Sequence, residues 1–286
     1  METLLRELRQ VLSHQQAFYG PFLPLGRPLP AAVEPVAEPV VVSVSTPTSS
    51  LPEALVPVDA AAPMPTLDLF GQPVTLVQES ARSPYERIAV LIPPTSPLHG
   101  MATLAEVEAY VRDTVLIPLD RTRTNPVFGV GNPEAGLMVI GEAPGADEDR
   151  QGEPFVGRAG QLLNKILDAA GFPRPTVYIA NVLKSRPPNN RDPEPEEVAA
   201  HLPLLYKQIA LIRPRLLLCV GRISANALLG RQASLAQLRG TFHDFHGLPL
   251  RVTYHPAALL RNEQWKRPTW EDMKQVRARY DELTPH

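Results

Sequence analysis

Cysteine is all but missing from this chain: Cys219 is the single thiol among 286 residues. By composition that excludes a disulfide framework, a four-cysteine zinc site and a cysteine-ligated iron–sulfur cluster. Long apolar runs are missing too, none approaching the roughly 18 residues a membrane helix needs, so no membrane partner is expected. The start, MetGluThrLeuLeuArg, lacks the basic residues and apolar stretch of a signal peptide. A soluble protein of a reducing compartment, the cytoplasm, is the expectation. Lysine is absent from residues 1–100, where 5 Arg face 9 acidic residues. The whole chain carries 28 Lys+Arg against 30 Asp+Glu, so an acidic extension joins a slightly basic body. Bulk charge of this size neither favours nor excludes nucleic acid.

Proline is what the chain has in excess, 33 in all and 16 of them in the first hundred residues. Residues 1–20 place Leu4, Leu5, Leu8, Val11 and Leu12 on one helical stripe. That predicts a short amphipathic helix, packed on its own body or on a protein partner. Residues 21–100 read as a Pro/Ala-rich, largely disordered linker, because prolines at that density break helix and ladder alike. From 101 to 286, strand and helix signals alternate. Apolar runs at 137–141, 177–182, 216–221 and 250–254 predict strands; helical spacing covers 157–170, 196–211, 223–229 and 269–280. The expected fold is α/β, a mainly parallel central sheet flanked by helices on both faces in three layers. Such a sheet binds ligands at the carboxyl ends of its strands, and the unusual polar residues gather there.

After the first strand, Gly141-Glu142-Ala143-Pro144-Gly145 forces a sharp turn that is followed by Asp147, Glu148 and Asp149. It lacks the Lys-Ser/Thr of a phosphate-binding loop. Carboxylates at a strand end suit water activation or stabilisation of a cationic transition state; a solvated acidic turn is the plain alternative. Phe155 follows in a Gly/Pro-rich loop, as a core plug or as a face for stacking a planar ring. Gly157 and Gly160 leave the next helix start bare beside Arg158, a plausible phosphate seat. Asn181 ends the second strand, either as a turn cap or as an amide that reads a base edge. Lys184, Arg186 and Arg191 behind it could track a phosphodiester backbone. His255-Pro256 ends the fourth strand; its imidazole could stabilise a developing anion or serve structure alone. Leu259 and Leu260 are core or a wedge for a base stack, with Arg261 nearby for phosphate.

Taken together, Thr124–Gly131, Gly141–Asp149, Gly152–Leu163, Tyr178–Arg191, Leu238–Gly240 and His255–Arg261 resemble family 4 uracil-DNA glycosylases. The resemblance covers about Val107 to Tyr280 and excludes the first hundred residues. It implies that Glu142 and Ala143 contact uracil and water, Ala143 standing where other branches place a water-activating aspartate. Glu148 matches a carboxylate implicated in catalysis, so Glu142, Glu148 and His255 form the expected catalytic set. Phe155 matches the ring that stacks on uracil, Asn181 the amide that reads its edge, and Asn190 a polar position of the site. His255 matches the histidine opposite the uracil O2. Members of the family usually hold a four-iron four-sulfur cluster through four cysteines, and those positions here are Thr114, Ile117, Ser185 and His201. No cofactor and no metal are therefore expected.

The resemblance implies hydrolysis of the N-glycosidic bond of deoxyuridine in DNA, with the base flipped out of the stack, during base excision repair on the bacterial nucleoid. A monomer acting on uracil-containing DNA is expected, with a protein partner conceivable for the amino-terminal helix and linker. The alternative reading is a non-catalytic DNA-damage-binding or scaffold protein derived from the same fold, raised by the missing cysteines. A generic nucleotide-binding protein fits less well, for want of a glycine-rich phosphate loop.

Overall fold

The computed structural model describes residues 82–284; the expected amphipathic helix and most of the expected linker lie outside them. The folded body starts earlier than position 101. Helix α1 (Pro84–Ala89) opens with a Ser83/Glu86 capping box, and a 3-10 turn follows at Pro97–Gly100. Ile88, Ile92 and Leu98 are all buried, so their apolar side chains, spaced between the prolines, fasten this stretch to the body. Helix α2 (Leu104–Asp113) is capped in the same way by Thr103 and Glu106.

Six strands form one sheet in the order β1-β3-β2-β4-β6-β5. The central strands β2 (Leu137–Gly141), β3 (Tyr178–Asn181), β4 (Leu216–Val220) and β6 (Leu248–Thr253) run parallel to their neighbours. The edges β1 (Val130–Gly131) and β5 (Phe242–Phe245) are antiparallel, which makes the sheet mainly, not wholly, parallel. Neither edge strand has the apolar run that betrays a buried one: β1 has two residues, and β5 contains His243 and Asp244.

Alternation along the strands sends side chains to two cores. Met138, Ile140, Leu217, Cys219, Leu250 and Val252 face one side. They pack with Leu205 and Ile209 of α5 (Pro195–Ile212), with Ala225 and Leu228 of α6 (Arg222–Leu229) and with Leu238 of α7 (Leu235–Leu238). On the other side, Leu137, Val139, Ile179, Leu216 and Leu218 meet Leu163 and Leu167 of α4 (Arg158–Ala169) and Met273 and Val276 of α9 (Lys266–Leu283). Each such Leu, Ile or Val contributes about 1.5–3 kcal/mol by leaving water. Burial pushes the Cys219 thiol up to about 12, so the lone cysteine is an inert part of the first core.

Register is what this packing fixes for function. Gly141 pairs with Asn181, Ile140 with Cys219, and Val220 with Thr253. The four parallel strands therefore end together, and the segments that follow them share one edge of the sheet.

Candidate active site

Gly141 is the floor of that edge. A Cβ there would lie 2.3 Å from Asn181 Oδ1 and 2.6 Å from Phe155 Cζ, so only glycine lets the amide and the ring meet over the end of β2. Phe155 sits in the left-handed region at φ 55°, an uncommon conformation for a bulky residue. Arg174 holds it there, donating to Pro154 O (2.7 Å), Phe155 O (3.2 Å) and Asn164 Oδ1 (3.0 Å). Gly160 admits the same loop, since a Cβ would stand 1.8 Å from Phe155 O. The Phe155 ring then lies 5.7 Å from the His255 ring, tilted by 34°.

Asn181 is 1% exposed, and its Oδ1 has no hydrogen-bond partner among the described residues. A buried amide oxygen without a donor costs about 1–3 kcal/mol, is rare in folded proteins, and marks a functional position as one of its standard explanations. Behind it, Lys184 Nζ donates to Asn181 O (2.7 Å) and to Gln208 Oε1 (2.6 Å). Lys184 is completely buried, and burial pushes its ammonium down to about 7. That corrects its expected contact with DNA phosphate: the side chain braces Asn181 from within.

His255 is the N-cap of α8 (Pro256–Arg261), and its Nδ1 accepts the Ala257 backbone N–H at 3.2 Å. The acceptor nitrogen is thereby Nδ1 and the proton resides on Nε2. Burial, then the charge of Arg261, pushes the imidazole down to about 4, so the ring is neutral at physiological pH. Its placement rests on residues the sequence reading passed over. Tyr254 stacks on Trp265 at 4.9 Å and carries the Arg239 guanidinium 4.2 Å above its ring. Arg239 in turn bonds Asp272 Oδ2 (2.6 Å), which also accepts from Thr253 Oγ1 (2.7 Å), while Asp272 Oδ1 takes Arg251 (2.9 Å). Arg239 had one signal, its place within Leu238–Gly240; Arg174, Asp272 and Trp265 had none.

The two carboxylates differ. Glu148, in α3 (Ala146–Gln151), accepts three backbone N–H groups: Gly145 (3.2 Å) on Oε2, and Val156 (3.0 Å) and Gly157 (2.9 Å) on Oε1. It ties the acidic turn to the Phe155 loop. Glu142 receives no side-chain hydrogen bond among the described residues. Burial, then Asp192, pushes its carboxyl up to about 7 against the opposing pull of Arg222, and Arg222 lies 3.6 Å from Asp192. Ala143, part-buried, packs on the first core.

Around this edge, Arg158 and Arg261 are exposed and Arg186 is half-buried. Arg186 Nε donates to Asn190 Oδ1 (2.7 Å). Arg191 forms a two-pronged pair with Glu197 (2.7 and 2.9 Å). Asn190 is exposed with φ 54°. Leu259 is fully buried while Leu260 is 43% exposed. This corrects the paired wedge: Leu259 is the inward side chain of α8, and Leu260 is the exposed member of the pair.

Ile117, Ser185 and His201 do converge, but on a carboxylate, and Thr114 joins them only through Arg123. Asp120 Oδ1 accepts from Ser185 Oγ (2.5 Å) and His201 Nε2 (3.1 Å), and Oδ2 accepts the N–H groups of Leu116 (2.8 Å) and Ile117 (3.2 Å). Arg123 stands 3.5 Å from Asp120 Oδ1 and donates to Ser185 Oγ and Thr114 O. Burial works against the Asp120 charge, but the bonds from His201 and Ser185 overcome it and hold its carboxyl well below the usual range.

Residues 128–274 match the family described as Uracil DNA glycosylase superfamily. The chain is 45% identical over 166 residues to a type-4 uracil-DNA glycosylase of Pyrobaculum aerophilum, covering 55% of this chain and 85% of that protein. It is 40% identical over 184 residues to the type-4 enzyme of Archaeoglobus fulgidus, covering 62% and 92%. With the type-4 enzyme of Thermotoga maritima it shares 40% over 176 residues, covering 60% and 92%. This kinship corrects the expectation of a protein without a cofactor, because type-4 enzymes are the group that the resemblance ties to an iron–sulfur cluster. The residues in hand do not fit that group: the four positions offer no thiolate, and no three His, Cys, Asp or Glu side chains gather for an ion among the described residues. With the family segment matched over half the chain and the strand-end residues brought to one place, the chain belongs to the uracil-DNA glycosylase superfamily.

Proposed function

We propose that this chain, a uracil-DNA glycosylase, uses the strand-end residues in the following roles. The nucleotide leaves the stack and its base enters over Gly141, against the Phe155 ring. Asn181 Oδ1 accepts the uracil N3–H and its Nδ2 donates to O4. Cytosine offers the reverse pattern, an acceptor at N3 and a donor at the exocyclic amine. The carrying observation is the buried, unpartnered Asn181 Oδ1 beside Phe155 and His255.

As the C1′–N1 bond breaks, its electron pair moves onto uracil and positive charge builds on the sugar. Neutral His255 donates Nε2–H to O2, where negative charge collects, without giving up the proton. Glu142 orients the water that adds to C1′ and takes its proton. Ala143 leaves that turn without a second carboxyl of its own, so Glu142 carries the work. Glu148 is a positioning residue in this scheme, its oxygens already engaged by three amides. Arg158, Arg186, Arg191 and Arg261 follow the phosphates, and Leu260 fills the gap left by the extruded base. In this reading the enzyme acts as a monomer on cytoplasmic DNA.

The test is single-turnover excision from a uracil-containing duplex, read as alkali-sensitive cleavage. Removing a preorganised donor costs on the order of 100- to 1000-fold in rate, so His255→Ala loses that much while its DNA affinity holds. Asn181→Asp loses uracil excision and gains on cytosine, whose amine a carboxylate accepts. Wild-type rates for either variant would refute the roles.

A further inference from the structure

Asp120 is buried, and its two oxygens gather donors from three separate parts of the chain. Ser185 lies just past β3, His201 in the middle of α5, and Leu116 and Ile117 in the segment after α2. Arg123 closes the assembly, reaching the carbonyls of Val111, Arg112 and Thr114 at the end of α2. The loop that starts at Ser185 is stiff. Pro187 and Pro188 fix two φ angles, and Asn189 and Asn190 both occupy the left-handed region (φ 56° and 54°). Its far end is fastened to α5 by the Arg191–Glu197 pair. The near end is held by the Ser185–Asp120 bond, by Arg123 on Ser185 Oγ (3.2 Å), by Lys184 Nζ on Gln208 of α5 (2.6 Å) and by Val127 N–H to Lys184 O (2.9 Å); of these, the Asp120 and Arg123 bonds act on Ser185 itself. Arg186 is the next residue along, so small movements at Ser185 pass directly to its guanidinium.

We infer that Asp120 is a positioning residue for DNA binding: by clamping Ser185 against α5 and Arg123, it sets where Arg186 meets the phosphate backbone. The inference rests on the reading above that this loop faces DNA. Asp120→Asn is the sharp perturbation, because an amide keeps one acceptor and turns a donor toward either the backbone amides or Ser185, His201 and Arg123. Ser185→Ala removes the same link with no change of charge and tests it should the first variant fold poorly.

The experiment is single-turnover excision on a uracil-containing duplex, with half-saturating enzyme concentration separated from maximal rate, and DNA affinity measured against salt. For D120N the half-saturating concentration rises about tenfold and for S185A about threefold, maximal rate staying within about twofold, the signature of lost ground-state binding. R186A alone lowers the salt slope by about 0.9, as loss of one phosphate contact does. Combined with D120N or S185A it adds less than its separate effect, because the clamp acts through it. Strict additivity, or a clamp variant that lowers only the folded fraction, overturns the inference. An R186A chain that binds DNA as wild type does, at the same salt slope, overturns the DNA-facing reading of the loop and the inference with it.

Discussion

Glu142 and His255 make opposite demands on pH, and that permits a decisive measurement. With its carboxyl pushed up to about 7, Glu142 is ionised in about a tenth of molecules at pH 6 and about nine-tenths at pH 8. If ionised Glu142 takes the proton from water, the single-turnover rate rises about tenfold over that span and then levels. His255, pushed down to about 4, stays neutral throughout and adds no limb. Were protonated His255 the working form, the rate would instead fall as pH rises past the ordinary imidazole value of about 6.5. The two readings differ in sign.

The neighbours supply a second control. Asp192 raises the Glu142 carboxyl and Arg222 lowers it, so Asp192→Asn moves the rising limb to lower pH and Arg222→Ala moves it to higher pH. Glu142→Gln removes the limb and leaves a low, flat rate. The same group bears on stability. Between its unfolded value near 4.5 and its folded value near 7, the folded state holds the proton that the unfolded state has released. Stability therefore falls as pH rises through this window, and Glu142→Gln abolishes that fall. A wild-type profile that is flat from pH 5.5 to 8.5, measured with saturating enzyme, would refute the assignment.

Lys184 gives the reverse slope: its ammonium drops from 10.5 unfolded to about 7 folded, so wild-type stability rises with pH between those values. Urea denaturation from pH 7 to 10 should show this slope and its loss in Lys184→Met, an identical slope in both proteins disproving a buried charge. Leu259→Ala should cost about 2–5 kcal/mol as a buried truncation, while Leu260→Ala stays within about 0.5 kcal/mol. In matched assays only L260A should slow excision from duplex more than from single strands; equal behaviour of the pair would return Leu259 to the DNA interface. Gly160→Ala drives a methyl into the Phe155 carbonyl, and should depress excision far more than it lowers the melting temperature; a fully active variant would show that the Phe155 loop has no need of its strained course.

What was legible beforehand follows from the kind of signal each feature leaves. The four parallel strands are runs of Leu, Ile and Val because both sheet faces are covered, and such runs stand out in any reading. Asn181 and His255 could be named because each is an odd residue at or just past the end of such a run, and Phe155 because it is an apolar ring in a Gly/Pro-rich loop. Burial is a different matter. Lys184 and Arg186 look alike in sequence, yet one is sealed behind Asn181 and the other faces outward, a difference set by the register of one loop against α5. Leu259 and Leu260 are likewise indistinguishable until α8 is placed, when one helical step separates core from solvent. The early boundary at Ile88 was hidden by the prolines around it, which mark a linker by composition and still permit three apolar anchors.

Glu148 shows why a residue type cannot by itself assign a role. Its place in an acidic turn and its match to a catalytic carboxylate both suggested chemistry, but three backbone N–H groups occupy its oxygens and tie it to the Phe155 loop. Glu142, just past the end of β2, is partly desolvated, receives no side-chain hydrogen bond among the described residues and has a like charge nearby, and those conditions raise a carboxyl toward neutrality. In the proposed scheme these two acids, six residues apart, have separate tasks, the first to move a proton and the second to keep Phe155 where a base can lie on it. The scaffold alternative would have relaxed this division. A chain that only bound DNA would have no use for a buried carboxyl held near neutrality beside a neutral, N-capping histidine and an unpartnered amide, because each of these costs folding energy that binding alone does not recover.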